Sequence, residues 1–346
     1  MEKYGYRFSF GPWNIHEGAD PFGPTVRSSV VFDKKVEILK SLGYDAMQFH
    51  DDDVVPGLDK LSASEISKQA KTIRKKLEDN GLVAEFVAPR LWESANTVDG
   101  AYTANDPKMR QYAIDRSKKA ADIAQEVGCD LMVLWLAREG TYMREAKDAA
   151  KATHHLLEAV NTLLNYDKKL RIAIETKPNE PMDMAYLPTI GHALALGSQS
   201  DHPERVGCLV ESAHAILAGL DPSDEMAFGL AFGKLWGVHL NDQNGLKFDE
   251  DRSFGSVDLR RAFNEVRVLD ANRYYEKGMV GMDVKAIRTQ PDVTATKHLR
   301  NSLLVFLRLV ELVRSIDQAK MKELIAARDY EELDWFILGS LMGAKK

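Results

Sequence analysis

Eight short runs of apolar or β-branched residues, each followed by a longer segment of helical period, recur along the chain, and this alternation restricts the fold more than any other feature. The runs lie at 6–10, 46–49, 84–87, 131–134, 171–174, 206–209, 236–240 and 280–282. Amphipathic stretches at 33–42, 62–80, 107–127, 146–164 and 259–264 fall between them. At SLGYDA, EDNGLVA and QEVGCDL a glycine stands where a helix stops and hands the chain to a buried strand. Strands joined by crossover helices pair in parallel, and eight of them predict an α/β chain closed into a (β/α)8 TIM barrel. No Pro/Gly/Ser-rich linker, low-complexity tract or repeat divides the chain, so the expectation is one barrel over 1–304 and a helical extension over 305–346. The tail carries TKHLRNSLLVFLRLVELVRSI and then DYEELDWFILGSLMG, with Trp335, Phe336 and Ile337. Such apolar pieces either pack on their own barrel or meet a second subunit, a possible oligomer contact.

Composition narrows the class. With 346 residues, 45% of them hydrophobic, a large core is available. The net charge of -6 comes without a Lys/Arg block that could grip a phosphate backbone, which argues against a nucleic-acid partner and against a barrel endonuclease. The two cysteines, Cys129 and Cys208, sit inside apolar runs, as buried reduced thiols in a cytoplasmic protein do. No N-terminal stretch has the apolar core of a signal peptide, and none reaches the ~18 residues that span a bilayer, so neither export nor a membrane is expected.

Catalytic groups of a parallel barrel gather where strands end and loops begin, so polar residues just after apolar runs are the candidates. These are His50 and Asp53 after the second strand, Trp135 and Arg138 after the fourth, and Glu175 and Lys177 after the fifth. Glu211 and His214 follow the sixth, His239 closes the seventh with Asp249 and Asp251 in the loop beyond, and Asp283 ends the eighth. A lone carboxylate at a strand end often only caps a helix, and HDDD at 50–53 could be a solvated acidic turn. Recurrence at consecutive strand ends argues otherwise. Glu175, Glu211, Asp249, Asp251 and Asp283 at one barrel mouth would repel one another strongly without cations. Oxygen ligands with one or two imidazoles suit Mg2+, Mn2+ or Co2+ better than a structural zinc, and one or two ions are expected. Trp13, Phe22, Trp92 and Trp135 are candidate walls for a sugar, whose C–H faces stack on rings, although any single aromatic is as readily core.

The segments FGPWNIHEGADPFG, FHDDDVVP, AYTANDPKMRQYA, WLAREG, IETKPNEP with LPTIGHALA, VGCLVESAHAILAGL, NDQNGLKFDEDRSFG and MDVKAIRT, in this order, resemble the xylose isomerase family from Phe8 to about Leu304. The resemblance implies a homo-oligomeric enzyme, a dimer or tetramer, that converts an aldose to a ketose by hydride shift between neighbouring carbons, with two adjacent divalent cations. Glu175, Glu211 and Asp283 match ligands of the first cation. Glu211 matches the ligand bridging to a second, held also by His214, Asp249 and Asp251. His50 and Asp53 match the pair that helps open the sugar ring, Asp53 orienting the imidazole, and Lys177 matches the lysine at the reacting oxygen.

Departures from the family pattern bear on the substrate. GVHLNDQ puts His239 where the family has an Asp ligand, keeping a ligand atom but removing a negative charge. APRLW brings Arg90 and Trp92 where the family has Asn and Phe, WLAREG adds bulk beside Trp135, and DVKAIRT keeps Asp283, Lys285 and Arg288. An added Arg suggests an acidic, oxidised or larger sugar, with Lys285 also in the pocket. Two other readings stay open. The set Glu175, Glu211, His239 and Asp283 resembles the site of single-metal keto-sugar epimerases and of related lyases, some of which work with a small second subunit. A sugar-binding protein without activity is the third, and retention of His50, Lys177, Asp249 and Asp251 argues against it.

Overall fold

The computed structural model describes residues 2–19 and 23–343, so Phe22 lies outside the described residues. Eight parallel strands, β1 (Phe8–Phe10), β2 (Ala46–His50), β3 (Val83–Ala88), β4 (Leu131–Trp135), β5 (Arg171–Glu175), β6 (Val206–Glu211), β7 (Leu235–Leu240) and β8 (Val280–Met282), close in sequence order into a barrel. Their helices are α1 (Phe32–Leu42), α2 (Ala63–Asp79), α3 (Pro107–Val127), α4 (Ala149–Tyr166), α5 (Ile190–Ser198), α6 (Pro222–Ala231), α7 (Leu259–Ala271) and α8 (Lys297–Ser315).

Local chemistry sets the helix ends. Ser62 and Glu65 form a reciprocal capping box at the start of α2, and Asp106 caps α3 ahead of Pro107. Gly128 ends α3 with φ at 94°, a left-handed conformation that a side chain would resist. Strands buried on both faces read as continuous apolar runs, and β6 is buried throughout. Phe86, Ala88, Leu131, Val133, Ala173 and Leu209, from alternate positions of β3 to β6, fill the barrel interior, with Trp13 and Trp236 packed against them. The other strand faces join the helices in the larger core.

Strand register carries the consequence for function. It sets Trp135 beside Glu175, Glu211 beside His239, and His239 beside Gly281. A two-residue antiparallel ribbon, Gly140–Thr141 with Met184–Ala185, ties the loop after β4 to the loop after β5. A Cβ at Gly140 would stand 2.2 Å from the Met184 carbonyl oxygen, so the ribbon needs glycine there.

Helix α8 runs through residue 304, and Phe306, Val310 and Val313 beyond that point are buried against the barrel. The pieces that follow are α9 (Gln318–Ala327) and α10 (Tyr330–Leu341). Phe336 and Ile337 of α10 pack on the core, whereas Trp335 is 61% exposed. Both cysteines are free thiols, Cys208 buried and Cys129 partly so. Among the described residues no helix is long and apolar enough to cross a membrane.

Candidate metal centre

Strands β5 and β6 end on Glu175 and Glu211, so the backbone presents both carboxylates at the barrel mouth. Glu211 also stands just before the short helix Ser212–Leu217, which returns His214 to the same side: His214 Nε2 is 3.2 Å from Glu211 Oε1. His239 points in from β7, with Nδ1 at 3.2 Å from Glu175 Oε1, 3.5 Å from Glu211 Oε2 and 3.9 Å from Asp283 Oδ2. The loop after β7 doubles back through an antiparallel bridge between Asp242 and Arg252. That fold brings Asp249 Oδ2 to 3.1 Å from His214 Nε2 and holds Asp251 at φ 48°, an uncommon value for a residue other than glycine.

These side chains form three triads whose ligand atoms lie within 4.8 Å of one another: Glu175, Glu211 and His214; Glu211, His239 and Asp283; Glu211, Asp249 and Asp251. Glu211 belongs to all three. All seven residues proposed as metal ligands therefore converge. Their donor set fits a divalent cation, since Asp249 Oδ1 and His214 Nδ1 are buried with no hydrogen-bond partner, a costly state for polar atoms.

Electrostatics agrees with a shared negative cluster. Burial pushes the Glu211 carboxyl well above the usual range. Burial, and then the charge of Asp249, raise Asp251 to about 8. Burial acts the same way on Glu175, but the imidazoles of His239 and His214 outweigh it and hold the carboxyl at about 2. The His239 imidazole is raised well above its ordinary value: burial opposes the charge, and Glu175 followed by Glu211 more than offset it. Protons held on these imidazoles are those a divalent cation would displace. Two lysines complete the balance. Lys177 donates to Asp249 at 2.8 Å and pairs with Glu180 at 3.0 Å, and Lys285 is bonded to Asp251.

Beside the carboxylates stands an aromatic box. The Trp13 ring lies 4.2 Å from that of His50, Trp92 meets His50 edge-on at 5.0 Å, and Trp92 and Trp135 cross at 4.4 Å. Trp13 Nε1 donates to Asp283 at 2.9 Å, which links the box to the carboxylate cluster. Trp135 Nε1 is buried without a partner, an unspent donor in the wall of the pocket.

The HDDD turn divides its labour. Asp53 accepts from the His50 backbone N–H at 3.0 Å and stands 3.2 Å from His50 Nδ1. Asp51 faces away and receives both arms of the buried Arg116, at 2.8 Å each. Asp52 takes the Nε of Arg90 at 2.8 Å. Arg90 also reaches Glu93 at 3.2 Å and puts Nη2 2.7 Å from His50 Nδ1. Arg90 is thus held by two carboxylates and lies against the His50 ring. Arg138, another strand-end candidate, donates to the Trp92 carbonyl and ties the loops together.

Asn241 is the residue the sequence reading passed over. Its amide nitrogen donates to Glu211 Oε1 at 2.9 Å and to Asp251 Oδ1 at 3.1 Å, while its oxygen accepts from the Ala213 N–H at 2.7 Å. It holds the shared carboxylate and a loop ligand in one frame. It follows the apolar run of β7 directly, so the strand-end rule that picked out the candidate carboxylates and histidines applies to it also.

A family profile described as xylose isomerase-like TIM barrel matches residues 36–293. A xylose isomerase of Thermus thermophilus is 34% identical over 332 residues, covering 94% of this chain and 84% of that protein. Among solved structures, a D-psicose 3-epimerase determined in the presence of D-fructose aligns with a TM-score of 0.62 at 13% identity, over 88% of this chain and 99% of that one. A D-psicose 3-epimerase with D-tagatose from Clostridium cellulolyticum gives 0.61 at 13% identity, over 89% and 99%. At such identity the structural likeness speaks for the fold alone.

Proposed function

The chain belongs to the xylose isomerase-like TIM-barrel family, and we propose that it is a sugar isomerase that converts an aldose to a ketose with two adjacent divalent cations, Mn2+, Mg2+ or Co2+. The observation that carries this reading is the placement of Glu211, whose Oε1 faces His214 while its Oε2 faces His239. A carboxylate with one oxygen in each cluster suits a bridge. Glu175, Glu211, His239 and Asp283 would hold the first cation, and Glu211, His214, Asp249 and Asp251 the second. Bound there, such cations polarise a sugar carbonyl and favour the ionised form of a neighbouring hydroxyl.

The chain's own residues supply the rest. Trp13, Trp92 and Trp135 wall the sugar, His50 faces the ring oxygen as a proton donor, and Lys177 stands over the Trp135 ring at 5.3 Å, ready to contact the reacting oxygen. Since Arg90 is paired, a neutral sugar suits the pocket better than an acidic one.

His239 favours a second reading. The first cluster alone is a complete set of three carboxylates and one imidazole, as a single-metal epimerase that moves a proton from carbon would use. Two measurements separate the readings. Metal analysis is expected to give two cations per chain, and Glu211→Gln to lose both; one cation per chain favours the epimerase. During turnover of a panel of aldoses and ketoses in deuterated water, the migrating hydrogen is expected to stay with the sugar, whereas solvent deuterium at a sugar carbon would sink the hydride-shift assignment. No change in any sugar by the fully loaded protein would sink both.

A further inference from the structure

Beneath the first cluster the barrel holds a second polar group that the proposed chemistry does not use. Gln48 of β2 and Ser9 of β1 are fully buried, and Glu85 of β3 lies with them. Gln48 Nε2 donates to Glu85 Oε2 at 3.0 Å and to Ser9 Oγ at 3.1 Å, and the Ser9 hydroxyl donates in turn to Glu85. An ionised carboxylate accepts and does not donate, so the amide nitrogen turned toward Glu85 suits it, with the amide oxygen on the other side. That oxygen, Gln48 Oε1, is buried with no hydrogen-bond partner.

His239 has the complementary deficit. Its Nδ1 faces Glu175, Glu211 and Asp283, and its Nε2 is buried with no partner. The two side chains flank Gly281 of β8, which pairs with Ser9 on one side and with His239 on the other. A Cβ on Gly281 would fall 2.3 Å from Gln48 Nε2 and 3.0 Å from His239 Cδ2. Only a residue without a side chain leaves room for both.

We infer that Gln48, oriented by Glu85 and Ser9, is the positioning residue for His239, its Oε1 accepting the Nε2–H directly or through one water so that Nδ1 is the nitrogen presented to the metal. A ligating imidazole needs a partner on its second nitrogen to fix tautomer and ring angle, and a carboxylate ligand in the same place would not. Gln48 is thus matched to the imidazole on β7. This inference rests on His239 being a ligand, as proposed above.

The test is Mn2+ titration calorimetry on the intact chain for wild type, His239→Ala and Gln48→Met. Gln48→Met is expected to weaken the cation that His239→Ala weakens, by about 10- to 100-fold. Glu85→Gln, which exchanges one of the two acceptor oxygens for a donor and removes the charge, is expected to weaken it less, and it serves if Gln48→Met does not fold. In protein labelled with 15N-histidine and loaded with Mg2+, His239 is expected to show a protonated, slowly exchanging Nε2, and this signal is expected to broaden in the Gln48 variant. Wild-type affinity in Gln48→Met and Glu85→Gln, with His239→Ala impaired, would overturn the role of Gln48 and leave the metal assignment standing. Wild-type affinity in His239→Ala would overturn both.

Discussion

Arg90 shows how much a single side chain depends on its neighbours. Its sequence position beside candidate sugar contacts suggests an anion receptor, yet the guanidinium is committed to Asp52, Glu93 and the ring nitrogen of His50. The guanidinium, which can only donate, lies 2.7 Å from His50 Nδ1, and the Asp53 carboxylate, which can only accept, lies 3.2 Å from the same atom, so the two compete for that nitrogen. Arg90→Met is expected to lower kcat/KM on a neutral sugar by about 10- to 100-fold, the scale of losing a hydrogen bond to a charged group. The ratio of rates on that sugar and on its uronic acid is expected to stay the same. Steady-state assays on the pair check both parts, and a selective loss of the acid would restore the role of anion receptor.

At the scale of elements, the strand ends and helix caps were legible because they follow local rules. Glu175, Glu211 and His239 each stand at or next to the end of an apolar run, and Gly128 ends α3 as expected. Helix α7 was harder. The pattern suggested 259–264, whereas the helix continues to Ala271 because Val266 and Leu269 also turn inward. The buried Glu265 interrupts the apolar stripe; its partner, Ser212 at 2.6 Å, is more than fifty residues away and invisible to a periodicity argument. The joint between β2 and α3 is equally non-local. Arg116 clasps the fully buried Asp51 with two bonds, and Asp51 also accepts from the backbone N–H groups of Asp52 and Arg90. Removing the guanidinium leaves a buried charge unpaired. Arg116→Met is expected to destabilise the protein by about 3–5 kcal/mol, measured as a lower urea midpoint at unchanged slope.

For the whole molecule, the proposed centre would couple cation binding to stability, since a cation that binds only the folded chain stabilises it by mass action. Free Mn2+ at a hundred times its dissociation constant is expected to add about 2.7 kcal/mol to the unfolding free energy, seen as a higher Tm that EDTA reverses. An unchanged Tm would count against the centre.

Acid stability has a separate determinant away from the cluster. His298 of α8 is buried, its Nε2 2.9 Å from the Asn14 carbonyl oxygen, and burial pushes the imidazole down to about 4. Its folded value lies below the unfolded one, so the unfolded chain binds the extra proton first. Stability is expected to fall as the pH drops from about 6.5 to about 4, by about 3 kcal/mol from this group. His298→Gln is expected to flatten that part of the profile relative to wild type in denaturant titrations at several pH values.

The sequence by itself determined the barrel, the mouth at which the candidate residues gather, and the kind of side chain found there, because periodicity, caps and strand ends are written in neighbouring residues. Tertiary structure alone decided the partnerships: which carboxylate faces both clusters, that Arg90 reaches His50, that Asn241 joins Glu211 to Asp251, and that Gln48 and His239 flank one glycine. Each of these contacts joins residues brought together by strand register and loop return, and an ångström-scale distance between such residues is set by the packing of the closed barrel rather than by either local segment.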